Sequence, residues 1–268
     1  MKISFVILTW NTLGRLKACL GSVYSSPIPH AHEVIVVDNG SVDGTASWVS
    51  ETYPEVMLIR NSRNLGTSKA RNQAVSIARG EYLIFLDSDT VVNGAAIEAL
   101  VIFMDEHPGV GICGPKLTYP DGRLQYSPRR MPPVYIPLVS RVGFLRKRSK
   151  AYGHHLMHDF DHKSVRDVDY LISACIIVRK EFMDRAGGFD ENIFYAAEDI
   201  LLCARCWREG WRVVYYPHVS VVHDYTRLTA GRPLSMLALR QLKDFMYMKH
   251  VCRDFERLAG DEGPVPSQ

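Results

Sequence analysis

The sequence predicts an α/β fold in which a mostly parallel central sheet is flanked by helices. Apolar segments rich in β-branched residues alternate with segments of helical periodicity, as they do in parallel β-α-β units. Polar residues follow each of the first four predicted strands. The chain has 268 residues, of which 47% are hydrophobic and 23% are charged, so its composition is that of a soluble globular protein with a sizeable core.

In the first half of the chain, four predicted strands are separated by three predicted helices. The strands are Ile3–Thr9, 33–37, 56–60 and the apolar segment that begins at Tyr82. The helices are Leu13–Ser25, Thr45–Thr52 and 68–79, with prolines after the first and a glycine after the third. Because each connection is helical, we expect these strands to pair in parallel.

The second half of the chain alternates less regularly. A predicted helix over 95–107 and a strand over 110–115 precede an insertion over 116–166 that is rich in proline and arginine. Loops of that length are usually functional or disordered. The other predicted elements are strands over 170–179, 213–216 and 219–223 and helices over 181–186, 197–210 and 234–258.

The sequence Asp87-Ser88-Asp89 ends the fourth predicted strand. Because alternate residues of a strand point to the same side, the carboxylates of Asp87 and Asp89 are expected to lie close together. Their mutual repulsion and their desolvation would both be relieved by Mg²⁺ or Mn²⁺, for which carboxylate oxygens are natural ligands. The alternative is a polar strand end without a metal, since Asp-x-Asp sequences are common.

The polar residues that follow the first four strands are expected at one edge of the sheet. These clusters are Thr9-Trp10-Asn11, Asp38-Asn39-Gly40-Ser41, the loop 61–66 and Asp87-Ser88-Asp89. In parallel α/β sheets, ligands bind beyond the carboxyl ends of the strands. The convergence of four clusters therefore predicts a binding site at this edge.

Three further positions have both a functional and a structural interpretation. Asp38 could accept hydrogen bonds from a ribose or a base, or it could stabilise the turn before the next helix. Glu198 and Asp199 could supply a general base, or they could stabilise a helix N-terminus through its dipole. His223, at the end of a late strand, could be a third metal ligand or a structural histidine.

Several classes of protein are disfavoured by what the sequence lacks. The net charge of +3 gives no indication of nucleic-acid binding. Neither a G-x-G-x-x-G dinucleotide motif nor a Walker lysine loop follows the first strand. No apolar run approaches the roughly 18 residues that span a bilayer, and the N-terminus reads as a strand rather than a signal peptide.

Two groups of potential metal ligands are given a structural interpretation. The six cysteines are scattered, mostly in apolar segments, which indicates free thiols in a reducing cytosol. Cys203 and Cys206 have the C-x-x-C spacing but no second pair. The histidine-rich segment 154–162 lies in the irregular insertion, where we expect a solvated loop rather than a metal site.

Taken in order, the motifs resemble those of the family 2 inverting glycosyltransferases with the GT-A fold. The matching segments are 7–11, 34–45, Asn64-Leu65-Gly66, Ala70-Arg71-Asn72, 86–89, Gly187-Gly188-Phe189-Asp190, Glu198-Asp199, Arg205, Gly210-Trp211 and His223. Each motif is weak alone, but the ordered set covers residues 3 to 229. The second half is most similar to the rhamnosyltransferase-like branch, which builds bacterial cell-surface polysaccharides.

The resemblance implies a glycosyltransferase of the hexosyltransferase type, with a nucleotide-diphosphate sugar as donor and Mn²⁺ or Mg²⁺ as cofactor. Asp199 would be the catalytic base, with Glu198 beside it. Asp87, Asp89 and His223 would hold the metal ion. The donor would be bound by Thr9, Trp10, Asn11, Asp38, Asn64, Gly66, Arg71, Asp87 and Ser88. The family usually has tyrosine where this chain has Trp10, and the indole can still stack on a ring.

The resemblance also divides the chain. Residues 1–229 would form the transferase domain, with a nucleotide-sugar-binding half (1–115) and an acceptor-binding half (116–229), and 230–268 would form a C-terminal helix and tail. The donor would be dTDP-rhamnose or a UDP-sugar, and the acceptor a glycan or a lipid-linked sugar. The amphipathic segment 234–258 would contact a membrane surface, or it would pack on the domain or on a second subunit. We therefore expect a cytoplasmic protein, peripheral at the inner face of the plasma membrane in the first case.

Two other functions are weighed against this one. A sugar-phosphate nucleotidyltransferase would need a glycine-rich loop with a basic residue after the first strand, where this chain has Thr9-Trp10-Asn11-Thr12. A non-catalytic nucleotide-sugar-binding protein would not need Asp87, Asp89, Asp199 and His223 together. Both alternatives are therefore disfavoured.

Overall fold

The computed structural model describes residues 1–133, 148–225 and 236–252, together with 135, 136, 139 and 144. The strands in these residues are β1 (Ile3–Thr9), β2 (His32–Asp38), β3 (Met57–Arg60), β4 (Tyr82–Asp87), β5 (Thr90–Val91), β6 (Val110–Thr118), β7 (Leu124–Gln125), β8 (Pro128–Arg129), β9 (Arg166–Asp167), β10 (Tyr170–Leu171), β11 (Cys175–Arg179) and β12 (Arg212–His223). The helices are α1 (Leu13–Ser25), α2 (Thr45–Thr52), α3 (Thr67–Val75), α4 (Gly94–Glu106), α5 (Lys150–His155), α6 (Lys180–Ala186), α7 (Glu198–Arg208) and α8 (Met236–Val251).

The central sheet has the strand order β3-β2-β1-β4-β11-β6-β12-β5. The first four of these strands are parallel, as the alternation of strands and helices predicts. β11 runs antiparallel to both β4 and β6, and β12 is parallel to β6. The sheet is therefore mixed, and β11, which the chain reaches through the insertion rather than through a helical crossover, runs against both of its neighbours.

Three predicted elements differ from those observed. The predicted strand 170–179 is interrupted at 172–174, and its two parts pair in different sheets. The predicted strands 213–216 and 219–223 form one strand, β12, with an irregularity in register between Tyr216 and Ser220. The third helix ends at Val75 rather than at 79. The hydrophobic pattern of the sequence does not locate a bulge or a strand break, since these depend on the partner strand.

The insertion 116–166 contains more regular structure than the sequence predicts. β6 continues to Thr118, β7 pairs with β6, and β8 pairs with β10. Helix α5 begins after Ser149, whose side chain caps it, and β9 pairs with β12. The strands β7, β8 and β9 have only two residues each, which is too short for a periodic pattern in the sequence.

Both faces of the sheet are buried, because side chains of β1 alternate between two cores. Ile3, Phe5 and Ile7 pack with α1, α2 and α4 on one face. Val6 packs on the other face with α3, α6, α7 and α8. A continuous apolar strand is expected where both faces are covered, and this sandwich places the carboxyl ends of β1, β2 and β4 in a cleft.

Helix α8 packs onto the core that lies on the same face of the sheet as α3, α6 and α7. Phe245, Met248 and Cys252 are buried in the cluster that includes side chains of α3 and α7. Lys249 donates a hydrogen bond from Nζ to the carbonyl oxygen of Pro132 at 3.2 Å. Among the helices of the described ranges, none is long and apolar enough to cross a membrane. Of the predicted helix 234–258, residues 234, 235 and 253–258 lie outside the described residues.

Candidate active site

The polar clusters that follow β1, β2 and β4 lie at one edge of the sheet, as predicted. Thr9 is opposite Asp38 in the parallel register, and Leu8 is opposite Asp87. A cavity of about 540 Å³ opens there and continues to the end of β12 and the beginning of α7. The sheet therefore brings residues that are more than 200 positions apart to one site.

Asp87, Asp89 and His223 converge in this cavity. One ligand atom from each residue lies within 4.8 Å of the others. The Nε2 atom of His223 is 3.2 Å from Oδ1 of Asp89 and 3.9 Å from Oδ2 of Asp87. β12 pairs with β5 so that His223 is opposite Thr90, which places the imidazole beside the two aspartates. Two carboxylates and one imidazole are a ligand set that suits a divalent cation.

Gln125, on β7, orients the imidazole of His223. The distance between Nδ1 of His223 and Oε1 of Gln125 is 2.6 Å, and both side chains are buried. Because Oε1 can only accept, Nδ1 donates a hydrogen bond to it, and Nε2 is the ring nitrogen that faces the aspartates. Burial lowers the pKa of His223, but the hydrogen bond to Asp89 and the charges of Asp87 and Asp89 raise it above its usual value overall. A metal ion bound between His223 and the aspartates would take the place of the proton on Nε2.

The charges around Asp87 also suit a cation. Burial raises the pKa of Asp87, and the negative charge of Asp89 raises it further, while Arg71 and His223 oppose this effect. A divalent ion between the carboxylates would remove the repulsion that disfavours their ionised forms. The residues present therefore fit the metal ion that the sequence predicts.

Arg71 is an interior residue whose side chain links Asp87 to Glu198. Its side chain is 2% exposed, and Nη2 donates to Oδ1 of Asp87 at 2.9 Å. Nη1 donates to Oγ of Ser173 at 2.7 Å and lies 3.6 Å from Oε1 of Glu198. The guanidinium carbon lies 5.8 Å from the ring centroid of Phe85 and 5.5 Å from that of Phe189, and these two rings pack edge to face against each other. A rigidly held cation of this kind positions the carboxylates on both sides of it.

Glu198 and Asp199 begin helix α7 and line the cavity. Burial raises the pKa of Glu198 to about 7, and the charge of Asp199 contributes to this shift. Burial also raises the pKa of Asp199, whereas the nearby Arg129 guanidinium and a hydrogen bond from the backbone N–H of Ile200 lower it. A carboxylate whose pKa is raised by burial accepts a proton more readily than an exposed one, as a general base must.

Most of the predicted donor-binding residues line this cavity, but two do not. The lining includes Thr9, Trp10, Asn64, Gly66, Arg71, Asp87 and Ser88. Asp38 is buried beside them and accepts a hydrogen bond on Oδ1 from the backbone N–H of Ser41 at 2.9 Å. Asn11 likewise accepts one on Oδ1 from the backbone N–H of Val42. In this structure both side chains therefore stabilise the loop beside the cavity.

The other potential ligands have structural contacts, including two histidines of the segment 154–162, which is not the solvated loop that the sequence predicts. His155 is buried, and its Nδ1 is 2.7 Å from the carbonyl oxygen of Arg130. His162 is also buried, with Nε2 donating to the carbonyl oxygen of Met157 at 3.0 Å. Cys203 and Cys206 are free buried thiols. Among the residues that the structure describes, only Asp87, Asp89 and His223 form a cluster of potential metal ligands.

Three residues of the site were missed by sequence analysis. Gln125 and Arg129 lie on the two-residue strands β7 and β8 of the insertion, and Ser173 lies in the break before β11. Each is an ordinary residue type in an irregular segment, so neither periodicity nor a motif distinguishes it. Only the antiparallel pairing of β7 with β6 and of β8 with β10 brings the first two to the cavity.

Comparison with known proteins gives consistent matches. Residues 4–173 match the model of the family described as Glycosyl transferase family 2. The N-acetylglucosaminyl-diphospho-decaprenol L-rhamnosyltransferase of Mycobacterium tuberculosis is 30% identical over 251 residues, which are 88% of this chain and 79% of that protein. This relative agrees with the rhamnosyltransferase-like resemblance seen in the second half of the sequence.

Two solved structures share the fold. The mannosyltransferase PcManGT from Pyrobaculum calidifontis, in complex with GDP-Man and Mn²⁺, superposes with a TM-score of 0.65 at 19% identity, covering 99% of this chain and 66% of that one. A fragment of S. aureus TarS in complex with UDP-GlcNAc gives a TM-score of 0.63 at 20% identity, covering 94% of this chain and 65% of that one. The expected GT-A fold is confirmed, and the chain spans just under two thirds of each solved chain.

Proposed function

The chain belongs to glycosyl transferase family 2, and from this membership we propose that it is a metal-dependent inverting glycosyltransferase. It moves a sugar from a nucleoside-diphosphate donor, with dTDP-rhamnose or a UDP-sugar as the candidates, to a glycan or lipid-linked acceptor in cell-surface polysaccharide synthesis. The observation that carries the proposal is the convergence of Asp87, Asp89 and His223 in the cavity that Asp199 also lines.

The donor occupies the part of the cavity at the ends of β1 and β4. Trp10, which is 42% exposed, offers an indole face on which a base or ribose can stack. Asp87, Asp89 and Nε2 of His223 would hold the metal ion, which would supply positive charge beside the departing diphosphate. Arg71 keeps the carboxylate of Asp87 in place from the protein side.

The acceptor is activated on the other side of the anomeric carbon. Asp199 accepts the proton of the acceptor hydroxyl as its oxygen attacks that carbon, and the carbon–oxygen bond to the diphosphate breaks. One displacement on the face opposite the leaving group inverts the configuration. Such a step needs no covalent intermediate, so no serine or cysteine nucleophile is required.

The nature of the acceptor is inferred from the relative in M. tuberculosis, whose name specifies a diphospho-decaprenol substrate. The cavity of this chain continues past the metal ligands to aromatic side chains of the insertion and of α8, namely Tyr126, Tyr152 and Phe245. Aromatic rings of this kind pack against sugar rings and against apolar chains. A lipid-linked sugar is thus a chemically suitable acceptor.

The proposal is tested with a panel of nucleotides and nucleotide sugars (dTDP, UDP and GDP series), each with Mn²⁺ and with EDTA. Ligand at about a hundred times its Kd stabilises the folded state by about 2.7 kcal/mol, which raises Tm by roughly 5–10 °C for a chain of this size. We expect one series to raise Tm with Mn²⁺ only. The absence of any metal-dependent increase would contradict the proposal.

The donor found in this way then serves in a transfer assay with the Asp199→Asn variant. Because the amide cannot accept the proton, we expect kcat to fall roughly a hundredfold or more, with Mn²⁺–nucleotide affinity unchanged. Asp184→Asn, on the exposed face of α6, is the matched control. Full turnover by Asp199→Asn, retention of the anomeric configuration, or release of pyrophosphate from a nucleoside triphosphate and a sugar phosphate would each contradict the mechanism.

A further inference from the structure

The segment Asp190–Ala197 connects the end of the Gly187-Gly188 turn to the catalytic pair at the start of α7. Phe194, Tyr195 and Ala196 line the cavity directly before Glu198 and Asp199. Ala196 has a φ of 68°, in the left-handed region that non-glycine residues adopt at a cost of about 1–3 kcal/mol. A conformation of this kind persists only where its surroundings hold it.

Helix α8 supplies one of the groups that hold it. The side chain of Asp244 is buried, and its Oδ2 atom accepts hydrogen bonds from the backbone N–H groups of Phe194 at 2.9 Å and Tyr195 at 2.8 Å. Hydrogen bonds to a carboxylate are among the stronger ones in proteins, and a buried carboxylate is costly to leave without hydrogen-bond donors. The two bonds fix the peptide planes immediately before Ala196.

The same helix holds the beginning of the segment. The hydroxyl of Tyr247, one turn from Asp244, donates to Oδ2 of Asp190 at 3.2 Å and accepts from Nδ2 of Asn192 at 3.1 Å. Arg205 of α7 also donates to Oδ2 of Asp190, at 3.2 Å. Two polar side chains of α8, Asp244 and Tyr247, thus form hydrogen bonds with the beginning of the segment and with the residues before Ala196.

On its other side, the segment contacts the donor-binding loop. The backbone N–H of Thr67, at the start of α3, donates to the carbonyl oxygen of Phe194 at 2.7 Å. A Cβ atom on Gly66 would lie 2.7 Å from the ring of Phe194, so the two backbones are in close contact. The segment is therefore also held from the donor side, by contacts that do not involve Asp244.

We propose that Asp244 is a positioning residue for catalysis, which acts through the backbone of Phe194 and Tyr195 to set the position of the base Asp199. This inference rests on the proposed function, in which Asp199 is the base. Helix α8 is then a working part of the active site, although Asp244 itself touches neither the metal ligands nor the reacting atoms. A misplacement of a catalytic group by about 1 Å can reduce the rate roughly a hundredfold.

The test compares Asp244→Asn with Asp244→Ser. Because both N–H groups donate to a single oxygen, the amide oxygen of asparagine can replace it, whereas the serine hydroxyl is too short to reach both. His250→Ser is the matched control, since it places the same residue at an exposed position of the same helix. Hydrogen–deuterium exchange at the amides of Phe194 and Tyr195 is measured first, because it is independent of activity.

We expect Asp244→Ser to lose protection at these two amides and to lower kcat roughly tenfold to a hundredfold, while its Mn²⁺–nucleotide affinity stays within about twofold. Asp244→Asn and His250→Ser should retain the protection and the kcat of the wild type. If Asp244→Ser does not fold, Tyr247→Phe takes its place: it loosens Asp190 and Asn192, and a reduced kcat with unchanged nucleotide affinity is expected.

Three results would overturn the inference. They are unchanged amide protection or unchanged kcat in a folded Asp244→Ser, an Asp244→Asn variant as impaired as Asp244→Ser, and a loss of nucleotide affinity equal to the loss of kcat. Failure of the proposed function is recognised separately, because Asp199→Asn would then keep full turnover while the amide protection still depended on Asp244.

Discussion

Gln125 is the residue on which the chemistry of His223 depends. An imidazole binds a metal ion through an unprotonated nitrogen, and its other nitrogen needs a fixed acceptor to keep the proton there. The buried pair of Gln125 Oε1 and His223 Nδ1, 2.6 Å apart, provides this. Residues that support a ligand in this way typically change metal affinity when they are replaced.

We expect Gln125→Leu to weaken Mn²⁺ binding about tenfold to a hundredfold, since leucine preserves the volume but removes the acceptor. Gln125→Glu retains an acceptor at the same distance and should bind Mn²⁺ at least as tightly as the wild type. Isothermal titration with Mn²⁺ and the nucleotide identified above measures both. Equal affinities for the leucine and glutamate variants would indicate that His223 does not bind the ion through Nε2.

Arg129 is the cation that we expect to set the pH range in which Asp199 can act as a base. Burial raises the pKa of Asp199 and the positive charge of Arg129 lowers it. A base is active only when it is deprotonated, so activity is present above this pKa and is lost as the pH falls through it. Replacing Arg129 by a neutral residue would raise the pKa of Asp199. The pH below which kcat falls would therefore be higher.

The Arg129→Gln variant should accordingly show a kcat–pH profile whose acid limb lies at higher pH than that of the wild type, with kcat at the acid end reduced several-fold. Arg123→Gln, an exposed arginine paired with Asp121, is the control and should leave the profile in place. An unchanged limb in Arg129→Gln would mean that another group, rather than Asp199, governs the titration.

At the scale of elements, function depends on how the loops after the strands fit against one another. The loop before α3 meets the segment before α7 at Gly66, where φ is 89° and ψ is 167°. Essentially only glycine adopts this backbone region, and the contact with Phe194 leaves no space for a Cβ atom. A single glycine thus brings the donor loop and the acceptor-side segment together.

We expect Gly66→Ala to lower the free energy of unfolding by about 1–3 kcal/mol and to weaken nucleotide binding as well. Gly44→Ala is the control, because Gly44 also has a positive φ, of 86°, but has open space around the position of a Cβ. It should cost only about 1 kcal/mol and leave nucleotide binding unchanged. Equal effects of the two variants in denaturant titrations would show that the contact with Phe194 is unimportant.

At the scale of the whole molecule, helix α8 has an inner and an outer face. Phe245 and Met248 are buried in the core, whereas the outer face exposes four large apolar side chains, Met236, Leu239, Leu242 and Met246. Lys243 is exposed on the same face. An exposed apolar stripe beside cationic side chains is typical of a helix that lies on an anionic membrane surface.

We expect the protein to float with liposomes that contain acidic lipids, more than with neutral ones. Leu242→Glu with Met246→Glu should abolish flotation, because it removes apolar area and adds repulsion. Ile77→Glu with Ile102→Glu, two exposed apolar residues elsewhere, is the matched control. No flotation of the wild type on either lipid would contradict this prediction, and a dimer that the first pair of substitutions dissociates would assign the stripe to a second subunit.

The sequence by itself determined the family, the α/β fold and most residues of the site. Strand–helix alternation predicts parallel pairing, and parallel pairing places Thr9, Asp38 and Asp87 at one edge whatever the details of packing. The separate motifs of Asp89, Glu198-Asp199 and His223 were recognisable because each ends a strand or begins a helix. These are local signals, and local chemistry is what a sequence shows directly.

Only the tertiary structure decided which residues support those groups. Gln125 and Arg129 reach the site from two-residue strands, and Asp244 acts on a segment about fifty positions earlier in the chain. The sequence also did not predict that β11 lies antiparallel between β4 and β6, or that β12 is a single strand. Both features depend on the pairing partners of a strand rather than on the periodicity of its sequence. The physical reason is that supporting contacts depend on the distance between side chains in space, and residues far apart in sequence carry no local pattern that records it.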